Sequence, residues 1–107
     1  MSKILFINAS EHEKGGTDRF GRQFLAGKDY TQADLVKYKI YQLGQHFADD
    51  QFAEVFNQMV QADTLVLGTP VYWHTISAYL KTLMERVSQL DPADVAQLRG
   101  KRVFLLV

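Results

Sequence analysis

The stretch GTPVYWHTISAYLKTLMER, residues 68–86, decides how this chain is read. It follows the apolar run Thr64-Leu65-Val66-Leu67. It passes into a helical stripe of Ile76, Leu80, Leu83, Val87 and Leu90, spaced alternately by four and three. A strand therefore delivers its carboxyl end to a loop, and the loop hands the chain to a helix. In open α/β sheets, ligands bind in the crevice outside the carboxyl ends of the strands. This loop carries Pro70, Tyr72, Trp73 and His74. Pro70 fixes one backbone angle and gives up a donor. Tyr72 and Trp73 place flat, amphipathic rings on a partly wet segment. A rigid turn bearing two such rings suits a planar ligand that stacks. The plainer reading is that the rings plug the top of the core, and a second loop decides between the two.

Toward the amino terminus, Ile4 to Ile7 is a continuous apolar run, which fits a strand covered on both faces of a parallel sheet. A polar loop follows Asn8-Ala9-Ser10, and Thr17 is the expected N-cap of the next helix. That helix places Phe20, Phe24 and Leu25 on one side and ends near Gly27. The next strand is expected at Leu35 to Tyr41, where Val36, Tyr38 and Ile40 alternate with Lys37 and Lys39, the pattern of a half-exposed edge. Gly44 to Ala48 reads as a linker. Asp49-Asp50 opens a helix whose core face is Phe52, Val55, Phe56, Met59 and Val60. Toward the carboxyl terminus, Pro92 to Leu98 reads as a short helical turn, and Val103 to Val107 as a strand.

The order β-α-β-α-β-α-β implies a parallel sheet with right-handed crossovers, in a single domain over residues 1–107. The last strand is apolar on both faces, as an interior strand would be. The expectation is that the chain is the front part of a longer protein, and that the fragment alone self-associates through this strand.

Lys plus Arg number 12 and Asp plus Glu number 12, so the formal net charge is zero. That balance argues against nucleic-acid binding, which needs a basic face, and against a strongly acidic electron carrier. There is no cysteine, which excludes disulfides, thiolate metal sites and cysteine nucleophiles. No apolar run approaches the ~20 residues of a membrane helix. Met1-Ser2-Lys3 passes directly into the first strand without a signal peptide, so a cytoplasmic location is expected.

The second loop, Ser10 to Thr17, reads SEHEKGGT between a strand end and a helix start. Helix N-termini present unpaired N–H groups and bind phosphate. Gly15 and Gly16 let the backbone approach closely. Ser10 and Thr17 can donate hydroxyls, and His12 or Lys14 can add charge. Glu11 and Glu13 repel phosphate and are expected to point away. The loop is neither a Walker loop nor the Gly-x-Gly-x-x-Gly turn. A well-capped flexible surface turn is the competing reading. With the edge strand outside the first, the strand order is 2-1-3-4, and both loops flank one crevice. A phosphate at one and a planar ring at the other describe flavin mononucleotide (FMN).

The stretches ILFINASEHEKGGT and ADTLVLGTPVYWHTISAYLKTLMER resemble the flavodoxin-like NAD(P)H-dependent FMN and quinone reductases. Ser10 and Thr17 match the first motif, while His12 stands where Arg is common and Gly16 where Asn is common. Thr69, Pro70, Tyr72, Trp73, Lys81 and Arg86 match the second, with Glu85 for Asp. The resemblance implies a flavodoxin-like doubly wound parallel sheet, with a fifth strand and a third flavin-contacting loop expected beyond Val107. It implies that Ser10, Gly16 and Thr17 hold the phosphate, and that Pro70, Val71, Tyr72 and Trp73 line the flavin ring. His74 is a weaker candidate at the ring edge or substrate. NAD(P)H would be the co-substrate, a small molecule the electron acceptor, and a homodimer the assembly. An electron carrier without its own substrate site, and a chain that no longer binds flavin, stay open as alternatives. A phosphorelay receiver does not fit, since Asn8-Ala9-Ser10 and Gly68-Thr69-Pro70 lack the required carboxylates.

Overall fold

A computed structural model describes residues 3–107; the start of the chain at Met1 and Ser2 lies outside the described residues. The main sheet is parallel, with β1 (Ile4–Asn8), β2 (Thr31–Asp34), β3 (Thr64–Gly68) and β6 (Arg102–Leu106) in the order β2-β1-β3-β6. The order expected from the sequence is therefore the one observed. Registers run Asn8 opposite Gly68 and Gly68 opposite Leu106, so β1, β3 and β6 end at one rim. β1 and β3 are central, which is why both read as unbroken apolar runs: Leu5, Phe6, Ile7, Leu65 and Val66 are buried.

One face of the sheet is covered by α2 (Phe52–Gln61) and α3 (Ala78–Ser88). Phe52, Val55, Phe56 and Met59 are buried there as the periodicity predicts, and Leu80 and Leu83 complete that core. The other face carries α1 (Gly16–Phe24), with a second core of Phe6, Leu25, Val66 and Leu106. A short α4 (Pro92–Val95) and a 3-10 turn (Ala96–Leu98) lead into β6. Among the described residues no helix is long and apolar enough to cross a membrane.

Four expectations are corrected. The edge strand is Thr31–Asp34, and Leu35–Lys37 is a 3-10 turn. The Val36–Ile40 alternation belongs to the segment after the strand, where Tyr38 and Ile40 pack on the helical core. The strand itself buries little but Ala33 and carries Gln32 and Asp34, so no hydrophobic pattern marks it. Helix α1 starts two residues early, so Thr17 is inside it and Gly15 is the N-cap. Its buried residues are Asp18 and Gly21; Phe20 and Phe24 remain 43% and 42% exposed, Phe24 lying against Phe104. Gly21 is inward because Phe6 fills the space a larger residue would need: a Cβ there would stand 2.1 Å from Phe6 Cζ. Finally, Ile76 is a strand residue, and α3 begins at Ala78 behind Ser77, whose hydroxyl accepts from Leu80 N–H.

Candidate functional site at the carboxyl rim of the sheet

The turn after β1 and the turn after β3 meet at this rim. Ala9 N–H donates to Gly68 C=O at 2.8 Å, and the buried Ser77 hydroxyl donates to Ala9 C=O at 2.7 Å. Thr69 Oγ1 accepts from Ser77 N–H at 2.9 Å and donates to Pro70 C=O at 2.8 Å, which closes the β3 turn on itself. Gly68 is obligatory here: a Cβ would stand 2.8 Å from Phe6 Cε1 and 2.9 Å from Thr17 Cγ2. The Thr17 methyl thus rests on the end of β3, so α1 starts directly beside the aromatic loop.

That loop is a hairpin, which the sequence does not announce. β4 (Val71–Tyr72) pairs antiparallel with β5 (Thr75–Ile76) across the two-residue turn Trp73-His74. Both turn residues have positive φ, 51° and 64°. Such a turn is ordinarily Asn-Gly or Asp-Gly, because side chains resist that backbone region. Strain of this kind persists where surrounding structure imposes it, and it concentrates at functional sites. The turn lifts Trp73 clear of the core, 92% exposed, with the His74 ring stacked at 6.3 Å. Val71 and Tyr72 are exposed as well, so the rings do not plug the core.

On the β1 side, Ser10 is buried, and its hydroxyl accepts from His12 N–H at 3.0 Å. His12, Lys14 and Gly16 are exposed, and Gly15 and Thr17 are partly buried. Gly15 caps α1 without any side-chain hydrogen bond, leaving the first-turn N–H groups open. Asp18, the acid of that turn, faces away from them: its carboxylate accepts from Arg22 Nε at 2.8 Å and Gln32 Nε2 at 2.7 Å. Arg19 Nη2 lies 4.0 Å from where a Gly16 Cβ would be. A cation in the first turn opposes the helix dipole, so Arg19 and the uncapped N–H groups together suit an anion. Sequence reading passed over Arg19 because its amphipathic position looked like plain solvent exposure.

The two acids of the loop part company. Glu13 turns outward to Lys37 Nζ at 3.0 Å. Glu11 does not: its Oε1 lies 3.5 Å from Tyr72 OH and 3.8 Å from His12 Nε2. It therefore bridges the two turns, against the expectation that both acids point away. An open hollow of about 730 Å³ flanks the same loop on the β2 side, lined by Glu11 to Gly15, Val36 and Lys37, with no hairpin residue.

Behind the rim, the segment from Tyr38 to Gln51 is strapped to α3. Arg86 donates to both Asp50 oxygens, at 3.0 and 2.6 Å, and to Tyr41 C=O at 2.8 Å, while its guanidinium covers the Phe52 ring. The Arg86 hydrogen bond holds the Asp50 carboxyl below the usual carboxylate range. Asp49 is likewise lowered, first by Tyr41 OH. These acids, read from sequence as a helix opening, instead anchor a loop. Arg86, named in the sequence only as a match to the second motif, is its clamp.

A doubly wound parallel sheet, with an open helix N-terminus after β1 and an aromatic hairpin after β3, defines a flavodoxin-like protein. The chain belongs to the NADPH-dependent FMN reductase family, whose sequence profile matches residues 2–107. It is 28% identical over 95 residues to YwqN of Bacillus subtilis, described as an NAD(P)H-dependent FMN-containing oxidoreductase, covering 81% of this chain and 52% of that protein. It thus spans about half the length of that relative. RosB, solved with 8-demethyl-8-formylriboflavin-5'-phosphate, superimposes with a TM-score of 0.79 at 15% identity, over 98% of this chain and 51% of RosB. The Trp repressor binding protein of Bacillus subtilis gives 0.73 at 21% identity, over 97% and 64%.

Proposed function

We propose that the chain carries the FMN-binding portion of an NAD(P)H-dependent reductase that passes electrons to a quinone, free flavin or similar small acceptor. The observation that carries this reading is the juxtaposition of the uncapped α1 N-terminus with the Trp73 hairpin, bridged by Glu11 and Tyr72. FMN fits these residues: at Gly16 no backbone crowds the approach, and Val71, Tyr72 and Trp73 offer exposed apolar surface.

In this reading the N–H groups of Gly16 and Thr17, with the Thr17 and Ser10 hydroxyls, hold the phosphate. Gly15 permits the approach, and His12, Lys14 and Arg19 supply positive charge. Pro70 stiffens the turn; Val71, Tyr72 and Trp73 line the ring, and His74 stands at its edge. These residues would hold FMN, which when bound would supply the chemistry of hydride acceptance from reduced nicotinamide and electron transfer to the acceptor. The protein orients the ring and neutralises the phosphate. The same reading makes residues 1–107 a single domain of a cytoplasmic homodimer.

The test is titration of purified protein with FMN and, separately, riboflavin, followed by NADPH consumption with a quinone. FMN should bind more tightly than riboflavin and support turnover. Equal affinity for the two would refute the phosphate site. FMN binding without NADPH oxidation would favour the electron carrier.

A further inference from the structure

Asn8, the last residue of β1, is fully buried. Its Nδ2 donates to Asp34 Oδ1 at 3.0 Å and to His12 C=O at 3.4 Å, and its Oδ1 accepts from Ser10 N–H at 3.2 Å. One side chain therefore holds both ends of the turn that precedes the glycines, from the inside. Its orientation is dictated. Asp34 is an acceptor, so the NH2 end must face it and the oxygen is left for Ser10.

Asp34 is itself anchored. Gln32 Nε2 donates to Asp34 Oδ1 at 2.9 Å and to Asp18 Oδ1 at 2.7 Å. Asp18 is buried in the first turn of α1. A continuous chain of hydrogen bonds thus runs from the Ser10–His12 turn, through the edge strand, to the start of the helix. It joins the two ends of the glycine loop and draws the Asp18 carboxylate away from the open N–H groups. No buried side-chain polar atom among the described residues lacks a partner. Such a network is worth most when complete, because a buried amide left without a partner incurs its full desolvation cost.

We infer that Asn8 is a positioning residue for phosphate recognition, acting through the turn it holds and, with Asp34, Gln32 and Asp18, fixing that turn against the helix N-terminus. This rests on the phosphate assignment above. Asn8 is fully buried with its amide engaged by His12, Asp34 and Ser10, so its signature is discrimination between a phosphomonoester and its dephosphorylated form, not affinity for the ring.

Asn8→Asp tests this with no change of shape. The new oxygen would face Asp34 Oδ1 and His12 C=O, acceptor against acceptor, at the distances the amide now spans. Asp34→Asn is the milder variant, and Asn8→Ala removes the amide outright. Two readouts apply to each. Amide hydrogen exchange without flavin should show Ser10 and His12 protected in the native chain. Protection should fall about tenfold or more in both Asn8 variants, with Leu65 to Leu67 unchanged. The ratio of riboflavin to FMN dissociation constants should fall by roughly tenfold in Asn8→Asp and less in Asp34→Asn, riboflavin affinity alone moving little. If Asn8→Asp does not melt cooperatively, Asn8→Ala and Asp34→Asn carry the same comparison. Unchanged protection, or a ratio within about twofold of native in folded variants, overturns the inference. Protection lost as expected, in a native chain with no FMN preference, instead marks failure of the phosphate assignment and takes the inference with it.

Discussion

Gly21→Ala sets two effects of opposite sign against each other. Gly21 lies inside α1, where alanine is normally favoured over glycine by about 0.5–1 kcal/mol. Propensity alone therefore forecasts stabilisation. The packing says otherwise. A Cβ at this position would stand 2.1, 2.4 and 2.7 Å from Cζ, Cε2 and Cε1 of Phe6. These are contacts with a rigid ring that is itself fully buried in the middle of the sheet. The ring cannot swing into solvent, so α1 must lift. Overpacking of this kind costs typically ~1–3 kcal/mol, and an overlap this deep belongs at the upper end. Subtracting the propensity gain leaves a net loss of about 2 kcal/mol, or a drop in Tm on the order of 8 °C for a chain of this size. Urea unfolding at two wavelengths measures it, with the slope required to stay constant. A double-mutant cycle with Phe6→Leu locates the cause: Gly21→Ala should cost at least about 1 kcal/mol less in that background. A rise in stability on Gly21→Ala, or additivity in the cycle, would refute the packing argument.

Arg86→Ala should destabilise by about 2 kcal/mol at neutral pH, since it strands the Asp50 carboxylate and frees Tyr41 C=O. Because Asp50 is lowered in the folded state, the stabilisation it brings is complete above its unfolded pKa near ~4 and is lost as pH falls below that. Thermal melts should show the gap between native and variant narrowing as pH falls below about 4; a constant gap would contradict the assignment. Replacing Trp73-His74 with Asn-Gly should raise stability by roughly 1 kcal/mol through relief of the turn, yet abolish most flavin binding. A variant that binds FMN as before would show that the rings are not the platform. Glu11→Gln should tighten FMN binding about fivefold at low salt, with the gain shrinking at higher ionic strength, and leave riboflavin unaffected. Equal tightening of both ligands would mean that the carboxylate acts by blocking the ring, not by repelling phosphate.

Some of this was legible in the residues because it is local. Strands covered on both faces are written as unbroken apolar runs, so Ile4 to Ile7 and Thr64 to Gly68 declared β1 and β3. The stripe from Phe52 to Met59 declared α2. A glycine pair before a helix and two aromatics after a strand were sufficient to suggest an anion and a flat ring.

The rest depended on partners far apart in the chain. Thr31–Asp34 is a strand because β1 offers it an edge, not because its own residues favour one, and its polar side chains are explained only by Asn8 and Asp18. Phe20 and Phe24 had the spacing of a core face, but Phe6 claims the ground beneath α1 and admits only Gly21. Trp73-His74 has none of the chemistry of a hairpin turn. Both residues hold positive φ in an exposed turn, so no local pattern could announce it. The direction of Glu11 was likewise settled only when folding brought Tyr72 within reach. Sequence specified the central strands and the two turns, since burial on both faces leaves a mark on every residue; the fit between those turns is a property of side chains that meet only in three dimensions.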